Sequence, residues 1–405
     1  MKQFVQGLYV FIALSIVAPV HSFEIEVFAG SNARDLCPVV AEAPAMDAGL
    51  IWLQAEGSDE AVACQVVQQA GKSLLHFIVN DLKPFEKRVY HKADGKGKTA
   101  DAVSIEENGA TLKINIDGKP FTEYRTETSK KQPLQIFYPL FGPQGVRMTR
   151  GFPMEKFDGE SEDHPHHQSL WVSHGDVNGV NFWHLGDNQG YQRHQKFASV
   201  ADGPVCGRIE QAITWENEDG KKLLNETRTI TIWGTGDDAR MMDFDIVLTP
   251  ADGDVTFGDT KEGGLLSLRT AYTMREVLPD KKKGTGLITN AEDATTAKNT
   301  WGKPSPWCDY SGPVGGTTAG LTIMDNPENV FYPTRYHVRD YGLFTANPFG
   351  LSHFIGKDHD GTRVLKSGET WRQQYRLYIH AGDVNQSNVK AMYVNYADGP
   401  RVVVK

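Results

Sequence analysis

Apolar and polar residues alternate in this chain over short, strand-length stretches. Glu24-Ile25-Glu26-Val27-Phe28 has period two, while Leu50-Ile51-Trp52-Leu53 and Leu74-Leu75-His76-Phe77-Ile78-Val79 are compact apolar runs set between charged turns. This pattern predicts a small N-terminal β domain over residues 23–100, with the polar, glycine-rich stretch 92–99 as a linker or long hairpin tip. From Val103 onward the dipeptides Asn108-Gly109 and Asp117-Gly118 interrupt alternating runs and supply the positive φ that tight hairpins need. Alternation resumes at 211–215, 226–233, 242–248 and 371–379, and no stretch sustains a 3.6-residue period. The prediction is an all-β chain whose main domain, 101–405, is a large antiparallel sandwich, since facing sheets are the way to bury so many one-sided strands.

Composition narrows the function classes. With 40% hydrophobic and 23% charged residues, the 405-residue chain has ample material for a core. Its net charge of −9 and the absence of a Lys/Arg stripe argue against nucleic acid as a partner, because that contact depends on clustered cations. One strongly apolar stretch, 4–20, follows Lys2 and ends at Val20-His21-Ser22, a boundary of signal-peptidase type. Residues 1–22 are therefore expected to be a signal peptide, the protein periplasmic or secreted, and the remainder without a transmembrane span. Of the four cysteines, Cys37 and Cys64 make the most local pair for a disulfide; Cys206 and Cys308 fit equally well as buried thiols.

The chemistry is concentrated in one place. Six of 13 histidines, His164, His166, His167, His174, His184 and His194, fall within 31 residues, in a segment that begins Asp163-His164-Pro165-His166-His167 and continues through His174-Gly175-Asp176-Val177-Asn178 and Trp183 to His194. Imidazoles gathered this way suit general acid/base work near neutral pH, or metal ligation with Asp163 or Asp176 orienting the rings. Gly258-Asp259-Thr260-Lys261-Glu262-Gly263-Gly264 places a cation and an acid in a glycine-flanked turn, where the backbone can approach another group closely. In 334–343, read as a strand, Arg335, His337, Arg339 and Tyr341 share one face, which suits an anionic or hydroxyl-rich ligand. Arg147 and Arg150 add positive charge just before the histidines. Trp171, Trp183, Trp301 and Trp307 are candidates either for stacking on a sugar ring or for the core.

These segments, DHPHH (163–167), HGDVNGVNFW (174–183), GDTKEGG (258–264), WCDYSG (307–312) and YHVRDYGLFTANPFG (336–350), resemble the PmoA-like, or "methane oxygenase", family across about residues 101–380. The resemblance implies a secreted bacterial protein associated with sugar metabolism, with a galactose mutarotase-like β-supersandwich fold. Carried onto this chain, it marks His164, His166, His167, His174, Asn178, Lys261, Glu262, His337 and Arg339. Where members often have a basic residue and glycine after the double histidine, this chain has Gln168-Ser169.

The resulting expectation is a carbohydrate-active protein, acting on a sugar or oligosaccharide by histidine-centred acid/base catalysis. Its expected catalytic residues are His164, His166, His167, His174, Lys261, Glu262 and His337; Arg150, Asp176, Asn178, Trp183, Arg335, Arg339 and Tyr341 are expected to bind substrate. No cofactor is called for. The alternatives are a divalent metal on His164, His166 and His174 for oxidative chemistry, and a glycan-binding module without catalysis.

Overall fold

The structure is a computed structural model that describes residues 23–93 and 103–405. The signal-peptide segment, 1–22, and most of the expected linker lie outside the described residues.

Two eight-stranded antiparallel sheets form the body. The first runs, in spatial order, Tyr336–Val338, Leu343–Ala346, Gly263–Arg269, Leu170–His174, Ile136–Leu140, Lys119–Arg125, Thr111–Ile116 and Val103–Asn108. The second runs Tyr191–Ala201, Cys206–Glu216, Lys222–Trp233, Ala239–Pro250, Trp371–Ala381, Thr317–Asp325, Trp307–Val314 and Leu287–Asn290. The hairpin dipeptides sit where the alternation placed them: Asp117 and Gly118 both have positive φ, 52° and 69°, between two paired strands. Helices among the described residues are short, at Ala297–Thr300, Leu351–Phe354 and Val389–Ala397.

Alternation explains the packing. Leu112, Phe137, Leu170, Leu268 and Phe344 of the first sheet join Ile209, Ile230, Phe244, Leu321 and Leu377 of the second in one buried cluster. Phe137 and Phe244 meet edge to face across the two sheets at 5.7 Å, and each such buried side chain contributes about 1.5–3 kcal/mol. The result is the expected large antiparallel supersandwich with a smaller β unit attached.

That smaller unit is a seven-stranded sheet built from the strands between Glu24 and Ala93 together with Arg401–Val404, so both ends of the chain contribute to it. It covers the outer face of the second large sheet, where Ala63, Trp52 and Ile78 pack with Cys206, Trp233, Met241, Tyr378 and the helix residues Val389 and Met392. The expected Cys37–Cys64 bridge is not formed. Cys37 pairs with Val79 and Cys64 with Phe77, on opposite sides of the strand Lys72–Val79. Two strand spacings, about 9–10 Å, exceed disulfide reach. All four cysteines are buried free thiols, and burial pushes the thiols of Cys64 and Cys206 up to about 12.

Candidate functional site

Strand parity in the first sheet decides which side chains meet. Cross-strand partners Trp171, Ser267, Thr345 and His337 form one row over four neighbouring strands, on the face turned away from the sandwich core. Arg269 lies on that face too, two residues from Ser267. Leu170, Val172, Leu266, Leu268, Phe344 and Val338 fill the opposite, core face. Over the outer face fold the loops carrying His164–His167, Trp183–His184, Lys261–Glu262 and Arg339–Tyr341.

The histidine loop is shaped by a buried cation. Arg150, 0% exposed, donates to the carbonyl oxygens of Asp163 (2.9 Å), His164 (2.9 Å), His167 (3.3 Å) and Ser161 (3.3 Å), and to the Asp163 carboxylate at 2.7 Å. Arg269, also fully buried, donates to His167 Nδ1 at 3.0 Å and to Asp163 at 3.1 Å. Burial draws the Arg150 and Arg269 guanidiniums down to about 10 and about 9. Burial opposes the Asp163 charge, but Arg269, Arg150 and His164 outweigh it and bring the carboxyl to about 2. His164 takes a left-handed φ of 46° inside this clamp.

The rings that emerge from it form a connected set. His164 stacks on His167 at 4.9 Å and on Tyr341 at 5.5 Å. His166 meets His167 at 4.4 Å, His184 at 4.5 Å and Trp183 at 6.2 Å. The Lys261 ammonium is hydrogen-bonded to the Glu262 carboxylate. Burial works against that carboxylate, but Lys261, His337 and His184 more than compensate and hold its pKa below the usual value. Its field reaches His166, His184, His337 and Tyr341. The close approach depends on Gly263 and Gly264, with φ of 126° and 121°. A Cβ at Gly264 would lie 1.8 Å from the Ala346 carbonyl oxygen.

Burial depresses the imidazoles: His166 to about 3, His337 to about 4, and His167 well below its ordinary value. They are neutral at pH 7, and their tautomers follow from their partners. His167 accepts from Arg269 at Nδ1, so its proton is on Nε2. His337 donates from Nδ1 to the Lys261 carbonyl at 2.5 Å, so Nε2 carries a free lone pair. His166 Nε2, His167 Nε2, Trp183 Nε1, His337 Nε2 and Trp301 Nε1 are all buried without a hydrogen-bond partner among the described residues. Buried polar groups are rarely left so, and a concentration of donors with an acceptor on one face matches a hydroxyl-rich ligand, whose groups both give and take hydrogen bonds.

Several expected site residues do other work. His174 is on the core side of its strand, between Phe257 (5.4 Å) and Phe349 (4.6 Å), and donates from Nε2 to the Gly258 carbonyl at 3.0 Å. It belongs neither to the acid/base set nor to a metal set with His164 and His166. Asp176 caps a turn by accepting from the Gly179 amide at 2.8 Å, and Asn178 accepts from the Thr256 amide at 2.7 Å, joining the loop to the strand Val255–Phe257. Arg150 organises the loop instead of lining it. Arg335 donates to the Gly302 carbonyl at 2.7 Å; the strand there is only Tyr336–Val338, and the chain turns at Asp340 and Tyr341, directly after Arg339. His194 also lies apart, bonded to Gln211 and packed on Phe197. Sequence reasoning left out His184 and Arg269. His184 was visible within the cluster; Arg269 was signalled by Ser267 and Arg269 as alternate polar positions in an otherwise apolar strand.

No group of three His, Cys, Asp or Glu among the described residues is arranged to hold a metal ion. No described helix is long and apolar enough to cross a membrane.

Comparison with known proteins gives one match to a family model: residues 111–394 match the Family of unknown function (DUF6807). No curated protein matches the chain in sequence. Among solved structures, a Glycosyl Hydrolase Family 38 protein from Enterococcus faecalis has a TM-score of 0.42 at 10% identity, covering 96% of this chain and 48% of its own. An alpha-mannosidase from the same organism has 0.45 at 10%, covering 96% and 46%. A putative aldose 1-epimerase from Klebsiella pneumoniae has 0.34 at 12%, covering 89% and 96%. The chain thus spans about half the length of the first two.

Proposed function

The chain belongs to the DUF6807 family, and from its site we propose that it is a carbohydrate-active enzyme that moves a proton on a bound sugar by histidine–carboxylate acid/base catalysis. The observation that carries this is the set of unpartnered ring nitrogens of His166, His167 and His337 on the same sheet face as Trp183 and Trp301, with His166 and His337 within the field of Glu262.

In this reading neutral His166 or His337 accepts a proton from a C–H or O–H of the sugar, and the Glu262 carboxylate stabilises the imidazolium that forms. The imidazolium so formed then returns the proton to the sugar atom that has become negative, and neutral His184, whose pKa burial lowers, stands beside His166 at 4.5 Å. Glu262 is ionised at neutral pH, so it serves as a base or as a stabilising charge. Lys261 offsets charge developing on the sugar, and Tyr341 and Trp183 form apolar walls. Lyase, epimerase and hydrolase chemistry share these parts. The resemblance to PmoA-like proteins and the apolar segment before Ser22 go with a periplasmic or secreted site of action. An oxidative metal centre on His164, His166 and His174 lacks its third ligand, because His174 faces the core.

The test is turnover of a panel of mono- and oligosaccharides followed by proton NMR, with wild type against His166→Ala and Glu262→Gln. The expected result is a new product with wild type that both variants fail to make while melting within a few degrees of it. Unchanged turnover in both variants would remove the acid/base reading. A sugar that stabilises the protein without ever yielding product would favour a binding module.

A further inference from the structure

Beside the histidine cluster lies a hollow of about 320 Å³ lined by Ala297, Lys298, Trp301, Val338, Arg339 and Asp340. It is continuous in its walls with the site. The Arg339 guanidinium lies over the Tyr341 ring, 5.4 Å from the centroid, and Tyr341 stacks on His164. Trp301 meets the His337 ring edge-on at 6.3 Å. The volume is at the lower end of small-molecule pockets and suits one sugar ring with its substituents.

The charges here differ from those beneath the histidine loop. Arg150 and Arg269 are fully buried and held by Asp163 and backbone carbonyls. The Arg339 guanidinium and the Lys298 ammonium, by contrast, make no hydrogen bond or ion pair among the described residues. Asp340 also lines the hollow without a side-chain partner and acts electrostatically on Glu276 and Tyr310 behind it. Two unpaired cations against one carboxylate leave the hollow positive. The Trp301 Nε1–H, buried and unpartnered, adds a neutral donor, and its ring adds a face. A planar guanidinium fork recognises a carboxylate by two parallel hydrogen bonds, while a neutral sugar hydroxyl makes no comparable use of two cations.

We propose that this hollow is a subsite for an acidic sugar, a uronate whose carboxylate is held by Arg339 and Lys298 while its hydroxyls meet Trp301 and Asp340. The proposal rests on the sugar-transforming reading above and names its substrate class.

The experiment is calorimetric titration of the full chain with matched pairs, D-glucuronate against D-glucose and D-galacturonate against D-galactose. At least one uronate should bind about tenfold or more tighter than its neutral counterpart, the scale of a charge-assisted hydrogen-bond pair. Arg339→Gln should erase that preference, Arg339→Lys should keep part of it, and Trp301→Phe should weaken both members of a pair alike. Equal affinity within the pairs, no uronate binding by the wild type, or a preference that survives Arg339→Gln overturns the proposal. The two readings fail separately: loss of turnover in His166→Ala on a neutral sugar keeps the acid/base reading without this one. A uronate preference beside full turnover in His166→Ala does the reverse.

Discussion

His174 and His337 stand on opposite faces of the same sheet, and almost everything local about them is alike. Both are buried, both give one ring proton to a backbone carbonyl, both leave the other nitrogen without a partner, and burial takes both to about 4. Their surroundings differ. His174 lies between two phenyl rings, and the charge that bears on it, Asp259, is itself held by the amides of Ser352 and Gly361. His337 has Glu262, Lys261 and Arg339 in its field and an indole with a free N–H beside it. Burial and a depressed pKa therefore mark both a packing histidine and a chemical one. What separates them is the set of ionic side chains around His337 and the unpaired indole donor beside it.

The largest expected effect is on rate. His337→Phe, like Glu262→Gln, should lower kcat by about 10²- to 10⁴-fold, the contribution of a positioned acid or base, whereas His174→Phe should leave kcat unchanged. Steady-state kinetics on any substrate found in the sugar panel decides this, and equal kcat in the two phenylalanine variants would erase the contrast between the faces.

Next comes the clamp under the histidine loop. Arg150→Met should destabilise the fold by about 2–4 kcal/mol, read by urea denaturation, because several carbonyl oxygens and Asp163 lose a buried donor. Activity should fall with it, as the loop loses the hold that gives His164 its left-handed backbone. A smaller effect is expected for His174→Phe, about 1–3 kcal/mol, from the Gly258 carbonyl left without its donor.

The smallest effect is a slope. Unfolded histidines take up protons near their ordinary 6.5, while folded His174 and His337 resist until about 4 and His166 until about 3. The unfolded state thus binds more protons in that window, and stability should decline as pH falls from 6.5 toward 4. Asp163 behaves separately. Its stabilising charge is complete above the ordinary 3.8 and is lost as pH falls toward about 2. Denaturation at a series of pH values should give a shallower decline between 6.5 and 4 for His174→Phe, with the more acidic loss unaltered.

Much of the architecture was legible because β-sheets write their burial directly into period-two alternation, as at 226–233 and 371–379. Arg401–Val404 was not, since its neighbour Glu24–Phe28 lies at the far end of the chain and only the fold brings them together. Clustering in sequence located the site but overextended it. His166 and His174 are eight positions apart in one motif-rich segment, yet the strand Leu170–His174 intervenes and its parity sends His174 inward. Arg150 looked like a substrate-facing cation because a residue type does not disclose whether carbonyls surround it. Arg339 and Tyr341 fell together for a reason other than the one anticipated, as a turn and not a strand carries them.

The central claim, that a sugar is handled on the outer face of the first large sheet, is tested most directly by following histidine ring nitrogens by NMR during titration with the saccharide panel. The account predicts shifts at His166, His167, His184 and His337, with His174 unmoved, as well as His380, which is buried against Asp309 in the second large sheet at 2.8 Å. Shifts confined to His76, in the groove of about 520 Å³ between the N-terminal sheet and the second large sheet, or no shift with any sugar, would contradict it.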